Sequence, residues 1–119
     1  LDLVISSINS NSISIFTGKG DGTFNSPVTI NAGSGSSYIK IADINNDSQN
    51  DILLLNKALG IFTYLTNKGS LSFDNPKTLE NISSPESITT GDFNNDGLLD
   101  TAIVSGDGVY AYINFDNPD

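Results

Sequence analysis

Residues 86–105 read ESITTGDFNNDGLLDTAIVS. Within them Asp92, Asn94, Asp96 and Asp100 bring side-chain oxygens to positions 1, 3, 5 and 9 of a nine-residue loop, and Leu98 offers its carbonyl at position 7. A calcium ion takes six to eight hard oxygen ligands at about 2.3 to 2.6 Å, and alternate residues of a tightly coiled loop can supply them. Gly97 follows the third ligand, where a sharp turn calls for the positive φ that glycine adopts freely. The flanks decide the fold. Before the loop stands ESITTGD, with the apolar Ile88; after it stands DTAIVS, a nearly continuous apolar run of strand length whose two faces are expected to be buried. An EF-hand opens in the same way but needs a bidentate glutamate at position 12 and helices on both sides. Position 12 here is Ile103, inside a β-branched run, which argues against it.

Written against itself with a shift of 49, the chain repeats: Asp2, Asp51 and Asp100 align, as do Lys19 with Lys68, Phe24 with Phe73, Pro27 with Pro76 and Asp43 with Asp92. A period of that size marks an architecture in which no unit buries its apolar face alone. Each unit has four strand-like segments. SYIKIAD (Ser37 to Asp43) matches ESITTGD (Glu86 to Asp92), and in each a small residue, Ala42 or Gly91, comes just before the loop, suited to a crowded position near a central axis. DLVIS from Asp2, DILLLN from Asp51 and DTAIVS from Asp100 form the second set. SISIF, IFTYL and, one residue out of step, VYAYI (Val109 to Ile113) are rich in the β-branched and aromatic residues that favour strands. GKGDGTF (Gly18 to Phe24) and NKGSLSF (Asn67 to Phe73) then supply turn residues and an aromatic anchor. The fourth strand follows Pro27 or Pro76, and proline belongs on an edge.

A four-stranded antiparallel unit of this length, buried through its middle and edged by a proline strand, is a β-propeller blade. The expected fold is therefore all-β, with about two and a half blades: strands 2 to 4 of a partial blade in 1–36, a complete blade in 37–85, and strands 1 to 3 of another in 86–119. That number cannot close a ring, so exposed faces and edges call for partners, either further blades of a longer chain or other copies. Leu1 in place of methionine, and no methionine anywhere, lead us to expect a segment of something longer.

The first loop, DINNDSQND, keeps Asp43, Asn45, Asp47 and Asp51, with Gln49 at the backbone-ligand position. Ser48 replaces the glycine, and serine at positive φ costs about 1 kcal/mol or more, so this loop is expected to bind more weakly than the second. Six of the fourteen acidic residues lie in the two loops, and two bound calcium ions would bring the formal charge from −9 to −5. Without an ion, crowded carboxylates repel by about 1 to 4 kcal/mol per pair at 4 Å. Calcium is therefore expected to be structural. Asp2 aligns with the ninth loop position but lacks the other eight residues, so it forms no site by itself.

With five lysines and no arginine, a nucleic-acid backbone is not an expected partner, and no apolar run is long enough to insert in a membrane. The absence of cysteine and histidine removes disulfides, thiolate metal sites and the commonest general base, so no enzymatic activity is expected. GKGDG reads as a hairpin turn, since the strand-to-helix context of a phosphate loop is missing. Tyr38, Tyr64, Tyr110 and Tyr112 could stack on sugars, but blade packing is the commoner use of such residues. The sequons at Asn46 and Asn81 are what chance gives in an asparagine- and serine-rich chain.

ISIFTGKGDGTF, IKIADINND and ITTGDFNNDGLLDTAIV together resemble the FG-GAP and VCBS repeats found in the integrin α-subunit propeller and in many bacterial and archaeal surface proteins. The resemblance covers essentially the whole chain. It implies calcium in the loop between the first two strands of a blade, hence on Asp92, Asn94, Asp96, the Leu98 carbonyl and Asp100, with Asp43, Asn45, Asp47, Gln49 and Asp51 as the second set. It also implies an extracellular or cell-surface scaffold for binding or adhesion, its protein or glycan ligand unspecified. The alternatives are a carbohydrate-binding lectin propeller, or an accessory or assembly module of a larger secreted enzyme, toxin or surface fibre.

Overall fold

The structure is a computed structural model that describes residues 2–33, 35–79 and 82–112. Ten strands follow one another: β1 (Leu3–Ser6), β2 (Ser12–Phe16), β3 (Val28–Asn31), β4 (Tyr38–Ala42), β5 (Asp51–Asn56), β6 (Ile61–Leu65), β7 (Lys77–Leu79), β8 (Pro85–Gly91), β9 (Asp100–Ser105) and β10 (Gly108–Tyr112). They form three open antiparallel sheets, ordered β1-β2-β3, β4-β5-β6-β7 and β8-β9-β10. No helix occurs among the described residues. The fold is all-β, built of blade-like meanders, as the repeat predicts. Asn81 and Ile113 lie outside the described residues.

The central sheet shows why the repeat reads as it does. Side chains alternate between faces along a strand, and β5 sends Ile52 and Leu54 into one core and Leu53 and Leu55 into the other. The first core joins them to Ile13, Ile15 and Ala32 of the preceding sheet; the second gathers Phe62, Tyr64, Ile88 and Ile103 around Leu53 and Leu55. Every residue of β5 is buried. At about 1.5 to 3 kcal/mol for each fully buried large aliphatic side chain, this one strand is the main apolar anchor of the molecule.

Burial on both faces does not extend to all three copies of this strand. In β1, Leu3 and Ile5 remain 42% and 47% exposed, whereas their counterparts Ile52 and Leu54 are each 2% exposed. The apolar run in β1 has a sheet packed on one side only, so its alternate residues face solvent. β9 differs in the same way: Ile103 is fully buried while Val104 is 43% exposed.

Both proline-preceded strands, β3 and β7, are sheet edges. The turns before them use positive φ at Gly20 and Gly22 in one copy and at Gly69, Ser70 and Leu71 in the other. Phe73 packs against the first core, as an anchor should. Phe24 meets Phe16 edge to face at 6.4 Å but stays 41% exposed. The small residue before the second loop has a local cause: a Cβ on Gly91 would lie 2.9 Å from the ring of Phe93, two residues along in its own loop.

Thr101 is fully buried, and its Oγ1 makes no hydrogen bond among the described residues. A hydroxyl removed from water without compensation costs about 1 to 3 kcal/mol, and valine has nearly the same shape. Thr101→Val should therefore raise unfolding free energy by about 1 kcal/mol in urea denaturation; a loss of stability would show that the hydroxyl is satisfied.

Candidate metal centre

Each acidic loop links the first strand of a sheet to the second, and backbone amides organise its carboxylates. In the loop from Asp43 to Asp51, the Asp43 oxygens accept from Asp47 N at 3.1 Å and Ser48 N at 2.8 Å. Asn45 Oδ1 accepts from Asp47 N at 3.2 Å, and Asp47 Oδ1 from Gln49 N at 2.8 Å. Asn45 Nδ2 donates to Asp47 Oδ2 at 3.0 Å. The loop from Asp92 to Asp100 makes the same set. Asp96 N and Gly97 N donate to Asp92 at 3.1 and 2.9 Å, Asp96 N to Asn94 Oδ1 at 3.1 Å, Leu98 N to Asp96 Oδ1 at 2.9 Å, and Asn94 Nδ2 to Asp96 Oδ2 at 2.8 Å.

Such a coil requires left-handed residues, and they recur in register. Asn46 and Asn95 have φ of 58° and 62°, and Ser48 and Gly97 have φ of 66° and 88°. Asparagine tolerates this region through its short polar side chain. Ser48 adopts the conformation that glycine takes in the other copy, so the strain expected from the sequence is present.

The ninth residue is different in kind. Asp51 and Asp100 are fully buried, beneath loops whose middle residues are exposed. Asp51 Oδ2 accepts from Ile44 N at 3.0 Å, and Oδ1 from Asn67 N at 2.8 Å, in the turn after β6. Asp100 Oδ2 accepts likewise from Phe93 N at 2.8 Å. Each carboxylate thus ties the start of its loop to the head of the next strand, and that of Asp51 reaches the turn after β6 as well. Burial pushes the Asp51 carboxyl above the usual carboxylate range, against the pull of the Asn67 and Ile44 amides; the charges of Asp47 and Asp43 push it further up.

Asn67 and Gly18 were not legible as partners from composition or loop spacing. Their signal is the repeat itself. Gly18 N donates to Asp2 Oδ1 at 2.9 Å, as Asn67 N does to Asp51. Asp2 thus holds the turn after β2.

Among the described residues no three carboxylates stand close enough to share a cation as they are. The donor set nevertheless fits one. All the candidate donors are oxygens, which suits hard cations and not zinc or copper. An ionised carboxylate has about four acceptor sites, so two amide bonds at Asp43 or Asp92 leave lone pairs for an ion. Asp43, Asn45, Asp47, Gln49 and Asp51 lie in one loop and Asp92, Asn94, Asp96, Leu98 and Asp100 in the other, each set within nine residues.

The tyrosines divide. Tyr64 is 6% exposed, stacks on Phe62 at 6.1 Å and lies under Lys77 Nζ at 5.3 Å, so it is a core residue. Tyr110 packs against the same core and its hydroxyl reaches Asp107. Tyr38 is 40% exposed. Gly20 and Gly22 occupy the turn between β2 and β3, where Asp21 Oδ1 accepts from Thr23 N and Oγ1.

A family model described as an FG-GAP-like repeat matches residues 1–54 and again residues 43–103. No curated protein and no solved structure matches the chain.

Proposed function

Because the chain belongs to the FG-GAP-like repeat family, we propose that it is a calcium-stapled β-propeller segment acting as a non-catalytic extracellular scaffold for binding or adhesion. The observation that carries the proposal is the duplicated loop: two copies, 49 residues apart, hold the same carboxylates on the same amides, and each ends on a fully buried aspartate. Turn formation alone does not need acids at positions 1, 5 and 9 in both copies.

One ion would be held by Asp43, Asn45, Asp47, the Gln49 carbonyl and Asp51, and the other by Asp92, Asn94, Asp96, the Leu98 carbonyl and Asp100. Bound calcium would supply charge that offsets the three carboxylates of each loop. The chain's own residues do the rest. Asp51 and Asp100 join each loop to a buried strand, so tightening a loop stiffens the sheet beneath it. Calcium is abundant outside cells, which supports an extracellular or surface setting. The role is structural, and the exposed surfaces of the blades are left to meet a protein or glycan ligand. Absent histidine and cysteine support a module that does no chemistry itself.

A calcium titration followed by backbone amide resonances tests this directly. Saturable shifts are expected at Asp47, Ser48 and Gln49 and at Asp96, Gly97 and Leu98, with the second loop filling first because Gly97 carries no side-chain strain. Spectra that do not change through millimolar calcium would sink the proposal.

A further inference from the structure

Asp-Gly is the dipeptide in which an aspartate carboxyl is most open to its own backbone, because glycine brings no Cβ to crowd the ring that the following amide would close. The chain has three, at Asp21–Gly22, Asp96–Gly97 and Asp107–Gly108. All six residues are exposed, so access does not separate them. Hydrogen bonds do. In the turn between β2 and β3, Asp21 Oδ1 accepts from Thr23 N at 2.9 Å and from Thr23 Oγ1 at 2.6 Å, which folds the carboxyl forward over the Gly22 peptide. Asp21 Oδ2 and Gly22 N have no partner among the described residues. Asp96 Oδ1 takes Leu98 N in the same way, but Gly97 N is held by Asp92 Oδ2 at 2.9 Å and Asp96 Oδ2 by Asn94 Nδ2 at 2.8 Å. The Asp107 carboxyl is drawn away by Ser105 Oγ at 2.5 Å and by the Tyr110 hydroxyl, and Gly108 is paired with Ser105.

We infer that Asp21 is a site of self-modification, converting to isoaspartate through a cyclic imide closed by Gly22 N. The amide nitrogen attacks Asp21 Cγ, the new C–N bond forms as the Cγ–OH bond breaks, and water leaves with the amide hydrogen. Water then adds to the main-chain carbonyl carbon of Asp21 and breaks its bond to Gly22 N. The chain now runs on through Cγ, and the former main-chain carbonyl becomes a side carboxylate. No oxidant or cofactor enters, and the product has the mass of the starting chain. The turn has room for the added backbone carbon: Gly20 and Gly22 lie at φ of 89° and 88°, and a Cβ on either would meet no atom within 4 Å. The two bonds from Thr23 hold the Asp21 carboxyl below the usual carboxylate range, so closure draws on a small neutral fraction and is slow. Exposure of the site does not depend on what precedes the first sheet. Ser70, the counterpart of Asp21 one repeat later, is exposed even though its neighbours Leu71 and Phe73 pack against the first core. There Ser70 and Leu71 replace the Asp-Gly pair, so the second turn cannot react in this way.

The test ages the intact chain for several weeks in neutral buffer with EDTA, so that protection of Asp96 comes from the loop's own bonds and the outcome does not depend on calcium. Trypsin then releases residues 20–40, which carry Asp21. Isoaspartate is detected by methylation with an isoaspartyl methyltransferase and located by electron-transfer fragmentation. The yield at Asp21 should exceed that at Asp96 and at Asp107 about tenfold, since placement of reacting atoms is worth at least that much. Ageing in urea should level the three sites, because the hydrogen bonds that separate them are gone. Gly22→Ala should suppress the reaction at Asp21 in the folded chain. Equal yields at the three sites in the folded chain, a larger yield at Asp96 or Asp107, the same excess at Asp21 in urea, or ageing that leaves Asp21 intact would each overturn the proposal.

Discussion

Calcium is expected to raise the thermal midpoint of this chain by roughly 15 °C or more, and the rise should vanish in chelator. A ligand that binds only the folded state stabilises it by about 2.7 kcal/mol at 100 times its dissociation constant. Two sites would contribute about 5 kcal/mol, and each kcal/mol moves the midpoint by a few degrees in a domain of this size. The calcium-free state has a specific weakness to relieve: a fully buried Asp51 whose ionisation is opposed by burial and by the neighbouring charges of Asp47 and Asp43. Differential scanning calorimetry in EDTA and in millimolar calcium gives the comparison. Identical midpoints would mean that the loops are turns and nothing more.

Asp51→Ala should be the most damaging single change at either loop. Its carboxylate holds Ile44 N at 3.0 Å and Asn67 N at 2.8 Å, and truncation strands both amides. A buried donor left without an acceptor costs about 1 to 3 kcal/mol, so the pair costs about 2 to 6 kcal/mol. That rivals the loss from emptying the core at Leu53, where a leucine-to-alanine change costs about 2 to 5 kcal/mol. Removing a costly buried charge returns part of the loss in chelator. If Asp51 also ligates calcium as proposed, the loss should be larger in calcium. Urea denaturation of Asp51→Ala and Asp51→Asn under both conditions separates these contributions, because asparagine keeps one acceptor. A change below about 0.5 kcal/mol for the alanine variant would remove the staple from the account.

The strands were legible because the pattern is redundant. DILLLN, DTAIVS, SISIF, IFTYL and KTL each became a strand at the positions their β-branched and aromatic residues suggested. The loops were legible as loops, down to the left-handed conformation of Ser48. Burial was less so, because it depends on what stands on the other side of a sheet. Leu3 and Ile52 are the same kind of residue at the same repeat position, yet differ from 42% to 2% in exposure. Nothing local to β1 encodes that difference. Asp2 shows a similar gap in the candidate site: it aligns with the ninth loop position, and its bond to Gly18 N shows that this position has a second task, holding the turn after the next strand. Only the alignment of Gly18 with Asn67 carries that information. Gly91 illustrates the converse, since the crowding its size suggested comes from Phe93 in its own loop.

If both loops hold calcium through their own oxygens, isothermal titration of the intact chain should find two equivalents bound per chain, reduced to one by Asp43→Ala and to one by Asp92→Ala. A folded chain that takes up no calcium at millimolar concentration would contradict it.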